Sequence, residues 1–136
     1  MKVFFNEIIF STKKRSELVD ITHQVEDIIT NSGVKNGLCL IHAPHATAAI
    51  VVNENEHGLV SDILKKIEKE FPKGVGYQHD RIDDNAHAHL TSTFLGASKI
   101  FPVKDSKIVR GTWQNIFFVE ADGPRNRRVL VEVLGE

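Results

Sequence analysis

Two stretches of helical periodicity, set among short β-type segments in no regular alternation, constrain the fold of this chain most. In the first, Leu18, Ile21, Val25, Ile28 and Ile29 recur at three-and-four spacing. Ser16 or Asp20 is the candidate N-cap, and Asn31-Ser32-Gly33 stops the pattern. In the second, Leu59, Val60, Ile63, Leu64, Ile67 and Phe71 share one face, and Pro72 ends it. The opposite face, Asp62, Lys65, Lys66, Glu68, Lys69 and Glu70, reads as a solvated helix surface. Residues 2–11, rich in Val, Phe and Ile, predict a strand. Gly37–Ala43 and Ala46–Val52 predict two more, with Pro44 bending the connection.

Residues 72–84 have almost no apolar periodicity and read as a long loop, often a functional feature in a compact domain. Asn85 is then placed to N-cap a third helix, Ala86 to about Leu95, closed by Gly96. The β segments Ser98–Val103, Lys107–Arg110, Thr112–Ala121 and Arg127–Leu134 follow. Asp122-Gly123-Pro124 is strong turn chemistry and predicts that the last two form a hairpin. Strands mixed with two to three helices in this order predict an α+β fold with a mainly antiparallel β-sheet. At 136 residues the expectation is one domain, 1–136, large enough to bury a real core.

Composition removes several classes of function. With a net charge of -1 there is no overall electrostatic footprint for nucleic acid or an anionic membrane, although Arg125, Arg127 and Arg128 form a local basic cluster. No apolar run approaches membrane-spanning length, and Glu7 interrupts the apolar N-terminal stretch without a cleavage-type pattern. A single cysteine, Cys39, lies inside Leu38-Cys39-Leu40-Ile41, which predicts a buried, inert thiol in a reducing compartment. The expected location is cytoplasmic.

Chemistry concentrates in the histidines, six of whose seven fall between positions 42 and 89: His42, His45, His57, His79, His87 and His89. Imidazole is a common divalent-metal ligand. His87 and His89 are two apart, which on a helix is about 200° of rotation, so only one can face a given site. His89 neighbours the apolar positions and is expected to point inward; His87 is expected to face solvent. His57 opens the second helix and His23 lies on a polar face, so neither is assigned a role. His45 precedes Ala46, Thr47, Ala48 and Ala49, small residues that leave room for a ligand or for tight helix packing. His45, His79 and His89 remain. Three imidazoles from separate elements with an open fourth position is the pattern of a catalytic zinc-type site, although their spacing matches no compact metal motif.

Other polar residues have two readings each. Strand alternation would place Gln114 on one face with Ile116 and Phe118, where it needs a partner, either a backbone group or a substrate. Arg125 and Arg127 flank the turn and could clamp a phosphate or carboxylate, or be solvated. Glu54, after Asn53 at a strand end, could support a histidine or act as a general base.

Taken in order, His45-Ala46-Thr47-Ala48-Ala49, Asn53-Glu54, Tyr77-Gln78-His79, Asn85-Ala86-His87-Ala88-His89-Leu90, Gly96-Ala97-Ser98, Gly111-Thr112-Trp113-Gln114 and Glu120-Ala121-Asp122-Gly123-Pro124-Arg125-Asn126-Arg127 resemble the YjbQ family, also called UPF0047. The likeness runs from about residue 5 to 134, with a mild departure at Ala46, where the family more often has threonine. The resemblance implies a small α+β fold assembled as a homotrimer, with pockets near subunit contacts. It implies that His45, His79 and His89 match the family's histidine positions. Members are often labelled secondary thiamine-phosphate synthases, which join a thiazole phosphate to a pyrimidine pyrophosphate and release pyrophosphate.

The combined expectation is an enzyme for a small phosphorylated metabolite. His45, His79 and His89 would hold a divalent metal, zinc first among candidates. Arg125 and Arg127 would neutralise substrate anion, Gln114 and Asn85 would orient it, and Glu54 would act as second partner or base. The alternatives are a non-catalytic trimeric module that binds an anion or metal, and a metal-dependent phosphatase.

Overall fold

Apolar alternation at the two ends of the chain makes ten-residue strands that pair along their whole length. The computed structural model describes residues 1–136. The N-terminal strand, β1 (Lys2–Ser11), runs antiparallel to the C-terminal one, Asn126–Gly135, with Lys2 opposite Gly135 and Ser11 opposite Asn126. Between them lie β2 (Glu17–Asp20), α1 (Thr22–Ser32), β3 (Gly37–His42), β4 (Ala48–Asn53) and α2 (His57–Glu70). A short 3-10 helix (Gln78–Arg81), α3 (Ala86–Leu95), β5 (Ser98–Lys104), β6 (Lys107–Ile108) and β7 (Asn115–Glu120) follow, so the C-terminal strand is β8.

The strands form two sheets, β1-β8-β3-β5-β6 and β2-β7-β4, and every pairing is antiparallel. The fold is therefore α+β with three helices, as the residue pattern predicts. One core joins both sheets to α1: Ile8, Cys39, Ile41, Val129, Val131 and Val133 from the larger sheet, Ile50, Ile116 and Phe118 from the smaller, and Val25, Ile28 and Ile29 from the helix. Each such side chain contributes roughly 1.5–3 kcal/mol by leaving water. Cys39 lies in this core, where burial pushes its thiol up to about 12. The alternate residues of the large sheet, Val3, Phe5, Ile9, Leu38 and Ile100, stay exposed. Where β3 meets the end of β8, a Cβ on Gly37 would lie 1.9 Å from the Leu134 carbonyl oxygen, so only glycine permits this approach.

Several expected boundaries move. Leu18 belongs to β2, opposite Val119 of β7, and not to the first helix. The helix starts at Thr22 because the Asp20 carboxylate accepts from both the amide and the hydroxyl of Thr22, at 2.9 and 2.6 Å. Gly33, in the left-handed region at φ 72°, closes it as expected. Strand β4 begins at Ala48, and β6 ends at Ile108. The 72–84 stretch is a loop broken by the 3-10 turn. The largest correction concerns Asp122-Gly123-Pro124. This turn does not close a hairpin, because β7 and β8 belong to different sheets and the chain crosses between them here. No helix is long and apolar enough to cross a membrane.

Candidate functional site

The crossing from β7 to β8 is built from polar residues, and its inner half is closed on itself. Glu120 is fully buried and Arg127 nearly so. Arg127 donates through Nε and Nη2 to the two carboxylate oxygens of Glu120, and through Nη2 to Thr47 Oγ1 at 2.9 Å. Thr12 Oγ1 donates to Glu120 at 2.7 Å, and the Asp122 amide donates at 3.0 Å. Burial alone would raise the Glu120 pKa, but the bonds from Arg127, Thr12 and Asp122 outweigh it and hold the carboxyl below its usual range. The Arg127 guanidinium also lies over the Phe118 ring, 5.9 Å from its centroid. Arg127, expected to hold substrate, is thus engaged in a satisfied buried ion pair.

The outer half is open. Asp122 Oδ2 accepts from Arg125 Nη2 and from Asn85 Nδ2, each at 2.9 Å. Burial pushes Asp122 up, and these two donors bring it below its ordinary value. Because Asn85 turns its amide nitrogen to the carboxylate, its Oδ1 faces His79 Nε2 at 3.1 Å. That oxygen can only accept, so the neutral tautomer it selects for His79 has its proton on Nε2 and an open lone pair on Nδ1. The His79 ring meets the His89 ring edge-on, 4.7 Å between centroids. Asn85 is buried and does not cap α3 with its side chain; Asp80 Oδ1 does, accepting from the Ala86 amide at 3.0 Å. The cap moved because the Asn85 amide is committed to Asp122 and His79.

The remaining candidates separate. His45 Nε2 sits against the backbone of Arg128, 3.0 Å from its oxygen and 3.2 Å from its nitrogen, and its ring stands edge-on to Phe118. Burial is the main cause that lowers the His45 pKa. No three histidine, cysteine or carboxylate side chains of one chain converge as metal ligands, so His45, His79 and His89 do not assemble a three-imidazole centre within it. Gln114 precedes β7 and is exposed; its Oε1 accepts from the Gly111 amide at 2.7 Å and closes a tight turn. Glu54, half-buried, makes no side-chain bond to a histidine, and only its amide is engaged, by Asn53.

His87 overturns the expectation that it faces solvent. Its Nδ1 is buried without a hydrogen-bond partner, and the ring lines a cleft of about 720 Å³. Helical rotation does separate it from His89, but both sides of α3 are partly covered. Asp122 and Glu120 were the other residues missed. Both stand in the Glu120–Arg127 motif, yet turn propensity alone assigned Asp122 to a hairpin, and a carboxylate at a strand end carries no mark of burial.

The fold and these residues define a class: a small two-sheet α+β protein whose sheet-to-sheet crossing presents a polar, histidine-bearing cluster beside a helix. Residues 6–136 match the family described as UPF0047 protein YjbQ-like, and the chain belongs to that family. It is 51% identical over 128 residues to a UPF0047 protein of Archaeoglobus fulgidus, covering 94% of this chain and 99% of that one. It is 44% identical to a UPF0047 protein of Methanothermobacter thermautotrophicus, covering 100% of this chain and 95% of the other. Among solved structures, a YbjQ-like protein of unknown function from Sulfolobus solfataricus superposes with a TM-score of 0.98 at 59% identity, covering 99% of both chains.

Proposed function

We propose that this chain is an enzyme for a small phosphorylated metabolite, with His79, Asn85, His89, Asp122 and Arg125 as its reacting centre. The observation that carries this reading is the directed chain Arg125–Asp122–Asn85–His79. An ion-paired carboxylate orients a buried amide, which fixes the protonation of a half-buried imidazole. A histidine placed only for packing has no need of such orientation. His79 Nδ1 is then available to accept a hydrogen bond from a substrate, and Arg125, half-exposed and joined to His79 through Asp122 and Asn85, is available to neutralise a phosphate.

The specific activity proposed is thiamine-phosphate synthesis, in which the pyrimidine carbon forms its bond to the thiazole nitrogen as pyrophosphate leaves. The departing anion would draw on Arg125. A divalent metal, zinc by its affinity for imidazole, would take the same His79 Nδ1 lone pair together with His89, and would then replace the hydrogen-bond-accepting role of that nitrogen. His45 could join only from another copy, because the three do not meet within one chain. The exposed apolar face bearing Val3, Phe5, Ile9, Leu38 and Ile100 supports assembly, and we take the homotrimer as its form. Arg127, Glu54 and Gln114 receive no reacting role here.

The test is thiamine-phosphate and pyrophosphate formation from the two substrates by purified protein. Turnover that falls at least roughly tenfold in His79→Asn and in Asp122→Asn supports the reading. Turnover unchanged in both variants contradicts it. Hydrolysis of phosphate esters with the same dependence would favour a phosphatase, and binding without turnover the non-catalytic module. Elemental analysis of untagged protein and of His89→Ala tests the metal, and sedimentation equilibrium tests the trimer.

A further inference from the structure

We propose that the cleft between α2, α3 and the bend at Arg15–Ser16 is a separate binding site for a small polyanion, with His87 as its directional hydrogen-bonding group. It adjoins the Asp122 end of the cluster already described, since His87 and Asp122 lie close enough for their charges to interact, but the rotation of α3 turns His89 away from it. The cleft has a volume of about 720 Å³, within the range of small-molecule pockets.

Four cations line it, Arg15, Lys65, Lys69 and Lys73, against one carboxylate, Glu68. Lys65 and Lys69 stand four apart on α2, where like charges repel, and neither has an ion-pair partner. The neighbouring Lys66, by contrast, pairs with Glu70 at 2.7 Å. Arg15 has no side-chain bond, and Lys73 has only a loose contact with the exposed Asp84 at 3.4 Å. A ligand with two or more negative charges would relieve this repulsion.

His87 gives the cleft a specific contact as well as a field. Its Nδ1 is the one buried side-chain nitrogen or oxygen of the chain without a partner. Buried polar groups are ordinarily hydrogen-bonded, so an orphan in a cleft marks a place for a ligand atom. Burial first, and then the charges of Arg15 and Lys73, lower the ring's pKa against the weaker opposing pull of Asp122 and Asp80. The cleft's own charges thus favour the neutral ring, and an anion between the three groups would oppose that repulsion. Phe71 and Pro72 supply an apolar wall for the uncharged part of the molecule.

The probe is inorganic pyrophosphate, titrated into the full-length protein and followed by calorimetry and by the imidazole nitrogen resonances of His87. Saturable binding that shifts His87 is expected. It should weaken at least roughly tenfold in Arg15→Glu, the loss of one charge-assisted contact, and stay unchanged in Lys104→Glu, an exposed cation outside the cleft. Arg15 is exposed, so its replacement does not threaten the fold. Three results would overturn the proposal: no binding at millimolar probe, equal binding by Arg15→Glu, or binding lost in His89→Ala but kept in Arg15→Glu. The last would move the anion to the histidine cluster.

Discussion

The two halves of the β7–β8 crossing use the same chemistry to opposite ends. Glu120–Arg127 and Asp122–Arg125 are both carboxylate–guanidinium pairs from one short segment. The first is 0% and 5% exposed at the side chains; the second is 14% and 52% exposed. In the first pair every oxygen finds a donor within the protein, and threonines on two other strands or turns complete the set. In the second, Asp122 passes its orientation on through Asn85 to a histidine with an open lone pair. A closed polar knot fixes where the chain crosses from sheet to sheet. The open one, two residues away, inherits that position and can afford to leave acceptors for a ligand.

Breaking the closed knot should produce the largest effect. Arg127→Ala leaves the Glu120 charge buried and unpaired, and should cost about 3–5 kcal/mol in denaturant unfolding. Gly123→Ala should follow, at about 1–3 kcal/mol. A Cβ there would lie 2.2 Å from the Lys14 carbonyl oxygen, a backbone atom that cannot step aside. Asp122→Asn should cost about 1 kcal/mol or less, because its pair with Arg125 is partly exposed. A loss of stability as large as that of Arg127→Ala would erase the distinction between the halves.

The pH dependence sharpens the same contrast. Glu120 and Asp122 both titrate below their ordinary values in the folded protein. Their contribution is complete above the unfolded carboxylate range, about pH 4, and is lost as pH falls through the lowered folded values. Stability should therefore drop on acidification below about pH 4, and Glu120→Gln should flatten that drop more than Asp122→Asn. The smallest effect is chemical. Cys39, with its thiol pushed up to about 12, should resist a thiol reagent in the native state and react only on unfolding.

Periodicity revealed the elements whose burial is one-sided. α2, α3 and the long terminal strands lie where their apolar spacing places them. It failed where a polar side chain redirects the backbone, as Asp20 does in ending β2 and starting α1. It also failed where partner choice is tertiary: nothing local in Asp122-Gly123-Pro124 tells a hairpin from a crossing between sheets. For the site, helical rotation correctly separated His87 from His89, and His79, Asn85 and Arg125 were legible as candidates, whereas Asp122, which joins them, read only as a turn residue. The assignment of Arg127 to a ligand and of His87 to solvent could not have been settled by residue type, since each depends on what the fold stacks above it.

The account turns on whether the Asp122–Asn85 chain governs His79. Long-range nitrogen–proton NMR of the imidazole at neutral pH tests this directly. The expected result is that the neutral ring of His79 is a single tautomer protonated at Nε2, which becomes a mixture of the two tautomers in Asn85→Ala. A ring protonated at Nδ1, or a tautomer balance that Asn85→Ala leaves unchanged, would contradict it.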